Sequence, residues 1–168
     1  MDGQTDNQQR KIGESDLDWL AGLWDGEGTF GLYYAKARHT QMKPHGSVVN
    51  THKGALDRVT QTLTAFGIGH HVMWQQIYQR EGLKSERPTW RVAVLGLKRL
   101  RPLLELMIPR LTVKQEQAKT LLEFIDYRMA KPHKAPYGED ELKFLARMRQ
   151  LNSPNRSTTE RQPGAIVA

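Results

Sequence analysis

The sequence contains no cysteine, which excludes a disulfide framework and any zinc site built on thiolates. It contains no apolar run long enough to span a bilayer. The first residues, Met1-Asp2-Gly3-Gln4-Thr5-Asp6, are polar and acidic, unlike a secretory or transit peptide. A soluble, intracellular, cytoplasmic protein is therefore expected, with neither a membrane nor a small-molecule cofactor as partner. Isoleucine and asparagine are scarce beside arginine and glycine. That balance argues against an AT-rich organelle genome and for a bacterium or its phage.

What the sequence does have is positive charge. Lys and Arg number 25 against 18 Asp and Glu, a formal +7. Such an excess suits a polyanionic partner, because each phosphate neutralised releases condensed counterions, although a merely soluble basic surface has the same composition. At 168 residues the chain can build one domain with a proper core and is too short for two. Residues 1–14 offer little to bury and read as a flexible lead-in. Residues 15–151 carry the single domain, and 152–168 have the composition of a disordered tail.

Ser15-x-x-Asp18 has the form of a capping box and opens a helix to about Asp25. Leu17, Leu20, Ala21 and Trp24 make one apolar face, and Trp19, Leu23, Gly22 and Gly26 lie opposite. A helix apolar nearly all round needs cover on two sides, one of which a partner could supply. Thr29–Arg38 alternates as a strand, with Phe30, Leu32 and Tyr34 inward and Gly31, Tyr33, Ala35 and Ala37 outward. A polar connection through His39, Gln41, Lys43, Pro44 and His45 leads to a strand near Ser47–Thr51. Gly54–Phe66 is amphipathic, and strands are expected at His70–Arg80 and Thr89–Leu95, separated by a turn over Glu81–Pro88. Helices follow over Leu97–Ile108, from Thr112 (capped as Thr112-x-x-Gln115, burying Ala118, Leu121, Leu122, Ile125 and Met129) and over Glu139–Leu151. Pro102 fits the first of these only within its first turn. The order αββαββ followed by helices gives an α+β fold with one sheet face left open.

Leu20-Ala21-Gly22-Leu23-Trp24-Asp25-Gly26-Glu27-Gly28 resembles the nine-residue signature of the LAGLIDADG homing endonucleases, with Trp24 in place of an aliphatic residue and Glu27 in place of the second aspartate. The resemblance extends over the αββαββ order and the Lys114-Gln115-Glu116-Gln117-Ala118 segment. It implies a LAGLIDADG endonuclease fold with additional C-terminal helices, whose antiparallel sheet forms a saddle on double-stranded DNA. The implied activity is a site-specific, metal-dependent, staggered double-strand break by phosphodiester hydrolysis at a long, near-palindromic site. The motif occurs once, so the second motif helix would come from a second subunit, making a homodimer. Leu20, Ala21, Gly22, Leu23, Trp24 and Asp25 would line that interface, with Gly22 and Gly26 admitting a close helix approach.

By the same resemblance Glu27, with Gly26 beside it, is the metal-ligating position. A carboxylate at the negative end of a helix dipole is unfavourable by about 0.3–1 kcal/mol; a divalent cation relieves this, and Mg²⁺ is expected, with Mn²⁺ or another divalent metal as substitutes. Lys114 matches the family's active-site lysine. His52 matches the position of a water-orienting polar residue and could act as a base. Asp25 is expected to organise the turn. On the open face Tyr33, Ala35, Ala37, Arg38, Gln76, Tyr78, Arg80 and Arg91 are the candidates for DNA contact, although a one-residue slip in 70–80 would exchange the faces. Two other classes compete. One is an inactive nucleic-acid-binding relative, an RNA maturase or transcription regulator, against which the presence of both Glu27 and Lys114 argues. The other is an HNH-type nuclease using His45, Asn50 and His52, which stand too close together for that site and read better as solvated or phosphate-contacting groups.

Overall fold

The structure, a computed structural model, describes residues 12–36, 40–75, 79–80, 83–84 and 88–153. Helix α1 spans Glu14–Glu27, and its inward residues Leu17, Leu20, Ala21 and Trp24 are all at most 1% exposed. It starts before the expected Ser15–Asp18 box. Gly13 is the N-cap, and the Asp16 carboxylate accepts the Gly13 N–H at 3.1 Å. Asp16 is the one drawn inward because Arg58 also binds it, at 2.9 Å. Asp18 instead pairs with Arg110 at 3.1 Å. The helix also ends later than expected, so Glu27 lies in its last turn rather than beyond it.

Strand β1 (Gly28–Lys36) follows without a loop. The Trp24 indole folds back over Gly28, where a Cβ would stand 2.3 Å from Trp24 Cδ1. Only glycine permits that turn from helix into strand. Trp24 then stacks on Phe30 with ring centroids 5.4 Å apart. Strand β2 (Thr40–Asn50) pairs with β1 through Phe30↔Gly46 and Tyr33↔Lys43. Most of the expected basic connection, from Gln41 to His45, is therefore strand. Pro44 hid it: the Pro44 carbonyl accepts the Gly96 N–H, so its donor-less side faces the point where the next strand has just ended.

Helix α2 (Lys53–Ala65) begins one residue before its expected start. Strand β3 covers only His71–Gln75. Within the expected strand to Arg80, residues 76–78 lie outside the described residues, and Gln79–Arg80 (β4) pairs with Leu83–Lys84 (β5) in a separate ribbon. Strand β6 (Thr89–Leu95) matches its expected bounds and enters between β2 and β3. The main sheet is antiparallel, in the order β1-β2-β6-β3.

Three helices complete the α+β fold: α3 (Leu97–Met107), α4 (Gln115–Met129) and α5 (Glu139–Asn152). Pro102 lies in the second turn of α3, not the first. The missing bond to Lys98 is tolerated because Leu100, Leu103, Leu104 and Met107 are fully buried around it. In α4 Met129 is 47% exposed, contrary to expectation, while Phe124 and Arg128 turn inward. The core lies between these helices and one sheet face, through Phe30, Leu32, Met42, Val48, Val92 and Val94.

A buried ion cluster joins α4 to α5. The Glu141 carboxylate is fully buried and accepts from Arg128 at 2.7 Å, Gly138 N–H at 2.9 Å and Lys131 at 3.0 Å. Burial pushes its pKa up, but the Gly138, Arg128 and Lys131 bonds outweigh this and hold it at about 2. A depressed carboxylate pKa contributes stability above the unfolded value, which is lost as the group protonates. Glu141→Ala is expected to cost about 3–5 kcal/mol, because Arg128 is left buried and unpaired. Denaturant unfolding should show the wild type losing this advantage between pH 4.5 and about 2.

Candidate functional site

The carboxylate of Asp25, in the last turn of α1, leaves its own helix. It accepts the backbone N–H groups of Thr112 at 2.7 Å, Val113 at 3.1 Å and Lys114 at 2.9 Å. The expected Thr112-x-x-Gln115 box does not form. Lys114 is the N-cap of α4, and its side chain makes no capping bond. A carboxylate shared by three N–H groups at a helix N-terminus is a stronger, charge-assisted cap than a threonine hydroxyl. Burial raises the Asp25 pKa, but the Thr112, Lys114 and Val113 bonds and the Lys114 charge prevail and hold it below its ordinary value.

The clamp is closed from the other side by Lys114, whose Nζ donates to the Asp25 carbonyl. A cation here meets the negative end of the α1 dipole, where it is favourable. Glu27 is exposed two residues further on. Asp25 thus ties together the elements that carry Glu27 and Lys114, although the two are 87 positions apart in the chain.

His52 caps α2. Its Nδ1 accepts the Ala55 N–H at 3.2 Å, and its own N–H donates to Asn50 Oδ1 at 2.8 Å. One ring nitrogen is therefore engaged in structure, and Nε2 is the atom that can meet a substrate. His52 lies at the same end of the sheet as Glu27, because β2 ends beside the start of β1, with Val48 opposite Gly28. The HNH grouping does not assemble. Asn50 and His52 bind each other, and His45 is buried, not solvated.

Among the described residues no three His, Asp or Glu side chains come together to hold a metal ion. What the α1 terminus offers is one exposed carboxylate beside last-turn carbonyls, Gly26 included, that lack intrahelical partners. That donor set fits Mg²⁺, which takes one or two carboxylates and completes its shell with phosphates and water.

Of the expected interface residues, Leu20, Ala21 and Trp24 have side chains buried in the chain's own core at 1% exposure or less. Asp25 forms the clamp and Leu23 is half-buried. Gly22 and Gly26 are exposed, and a Cβ on either would meet nothing within 4 Å. The open sheet face carries Tyr33, 58% exposed, and Arg91, half-buried beside Val49 and Met73 by pairing. In β3 the odd-numbered residues share the Arg91 face. Ala35 pairs with Gln41, and Arg80 lies in the β4–β5 ribbon rather than the main sheet. Ala37, Arg38, Gln76 and Tyr78 lie outside the described residues. Sequence patterns missed His45, which sits on this face under Tyr33. The signal was available in Gly31, whose missing side chain makes room for the ring.

No protein-family model matches the chain, and no curated protein matches it by sequence. Solved structures do. The homing endonuclease I-CvuI, crystallised with the I-CreI target in the presence of 2 mM Mg, superposes with a TM-score of 0.60 at 17% identity, over 90% of this chain and 89% of that one. The chain has the LAGLIDADG homing endonuclease fold. The archaeal intron-encoded homing endonuclease I-Vdi141I, complexed with DNA, superposes with a TM-score of 0.53 at 15% identity, over 83% of this chain and 98% of that one. The LAGLIDADG homing endonuclease I-GzeII, in complex with its DNA target, gives 0.58 at 14% identity, but this chain covers only 44% of it. Helix α1 carries Leu20–Glu27, and both the Trp24 ring and the Trp24 backbone carbonyl leave no room for a Cβ at Gly28. No helix among the described residues is long and apolar enough to cross a membrane.

If the Asp25 carboxylate is the clamp, Asp25→Ala should destabilise the protein by about 0.5–2 kcal/mol, the range for losing a helix cap. Hydrogen exchange should accelerate selectively at the Thr112, Val113 and Lys114 amides, with the α5 amides unchanged.

Proposed function

We propose that this chain is a site-specific DNA endonuclease of the homing type, acting as a homodimer and cutting both strands by metal-dependent phosphodiester hydrolysis with a stagger. The observation that carries the proposal is the Asp25 clamp, which keeps an exposed carboxylate, Glu27, and a lysine, Lys114, at the end of one helix in this fold. The DNA complexes among the similar structures support double-stranded DNA as the partner, and the +7 charge agrees with it. The open sheet face, with Tyr33 and Arg91, would lie in the major groove. A DNA substrate sets the place of work inside the cell, and composition favours the cytoplasm of a bacterium or a phage host.

Two copies are needed on this proposal because one chain offers one Glu27. The exposed, side-chain-free edge of α1 at Gly22 and Gly26 suits close packing against its twofold mate, and a near-palindromic site follows from that symmetry. The half-length match to I-GzeII is consistent with two copies doing what one longer chain does. Glu27 and the Gly26 carbonyl would hold Mg²⁺, which supplies charge neutralisation and a more acidic water. Lys114 stabilises negative charge on the phosphate or the water, and His52 orients a water through Nε2.

Selection of cut sites from a large DNA pool, with Mg²⁺ and with EDTA, tests this directly. The wild type with metal should enrich one long, near-palindromic sequence, and Glu27→Gln should cut it more slowly by over about 100-fold, more than loss of a metal's outer-shell partner costs. Enrichment by binding without cutting under any divalent metal would instead identify a nucleic-acid-binding relative such as a maturase or regulator. Separately, Gly22→Leu should shift the protein from dimer to monomer in sedimentation while its circular dichroism remains that of the folded chain, since the position has no neighbour within 4 Å inside the subunit.

A further inference from the structure

His45 is on the open face of the sheet, paired across from Gly31 and Leu95, yet it is only 6% exposed. Its Nδ1 is buried and has no hydrogen-bond partner among the described residues. A buried polar atom left unsatisfied in a native structure calls for an explanation, the more so on a face where the ring could turn to water. Two neighbours hold it in place. A Cβ on Gly31 would stand 2.3 Å from His45 Cε1, so the ring occupies the space a side chain would fill. On its other side Tyr33 stacks against it, with centroids 4.0 Å apart and planes 9° from parallel.

The two rings differ in what they can touch. Tyr33 is 58% exposed and His45 6%, so only the tyrosine can reach a ligand lying on the sheet. Burial first, and then the Arg91 charge, lower the His45 pKa to about 4 against the bond to the Gly31 backbone. The imidazole is therefore neutral near pH 7 and behaves as a flat wedge rather than as a cation. A tyrosine on an open strand would otherwise sample several side-chain orientations, and ordering it on binding costs affinity.

We infer that His45 is a positioning residue, seated over Gly31, that holds the Tyr33 ring in one orientation so that Tyr33 discriminates among bases. The inference rests on the DNA-reading role proposed above for the sheet face. Residue 45 thereby acts on specificity without touching nucleic acid. Gly31 belongs to the same unit, since any larger residue would evict the imidazole.

The test is a double-mutant cycle read as base preference across the selected site, using Tyr33→Ala, His45→Ala and the double variant. Gly31→Ala is a second, independent way of displacing the ring. His45→Ala and Gly31→Ala should weaken discrimination by about 2–12-fold, the range for ordering one side chain. The loss should fall at the positions where Tyr33→Ala loses it, and His45→Ala should add nothing in the Tyr33→Ala background. In the free protein, NMR should show ring-current-shifted Tyr33 protons that revert in His45→Ala. Effects at different base positions, or additive effects, would overturn the inference, as would Tyr33 shifts identical in wild type and His45→Ala. If the wild type selects no DNA site, the discrimination role falls together with the DNA-reading proposal, and the Tyr33 shifts still decide whether His45 orients the ring.

Discussion

Everything at the candidate site depends on one carboxylate. Asp25 belongs to α1 by sequence, but its bonds go to the start of α4. A helix N-terminus presents unpaired N–H groups, and a helix C-terminus presents unpaired carbonyls. Here the two ends face each other and satisfy one another, with Asp25 supplying acceptors to α4 and Lys114 a donor to α1. Electrostatically each end gains the charge it favours. Among the described residues, Glu27 is left as an exposed carboxylate with no ion-pair partner.

That division of labour explains why adjacent acids in the motif differ in fate. Asp25 is committed to structure by three N–H groups, and its pKa lies below the ordinary carboxylate value. Glu27 projects from the last turn and stays exposed. Trp24 contributes in a third way, filling the core and pressing on Gly28 so that helix passes into strand with no loop between. Three successive functions (core, clamp and exposed acid) are thus set within four residues.

Much of this was legible in the sequence because it is local. The apolar face of α1, the alternation of Phe30, Leu32 and Tyr34, and the bounds of β6 all follow from periodicity. What was not legible is non-local or depends on an exception. The cap of α4 comes from 87 positions upstream, so Thr112 took the credit for Asp25's bonds. Pro44 concealed half of β2 because its missing donor points past the end of β6. In β3 the pattern failed because Val72 and Met73 are 53% and 37% exposed on an edge strand, where neither face is fully covered. His45 was read as a solvated or phosphate-contacting loop residue, since the room that Gly31 leaves for its ring counts only once the β1–β2 register sets the two opposite each other. The Trp24, Leu20 and Ala21 side chains were assigned to a partner when their own core already claimed them.

The side chain of Asn152, the last residue of α5, donates to the Phe30 carbonyl at 3.0 Å, and β1 is the outer strand on that side of the sheet. An outer strand is an open template for another chain's backbone. By occupying that carbonyl and laying α5 along the strand, the fold closes one route of growth by strand addition. The sheet is kept finite at β1, and association is turned away from edge-to-edge pairing.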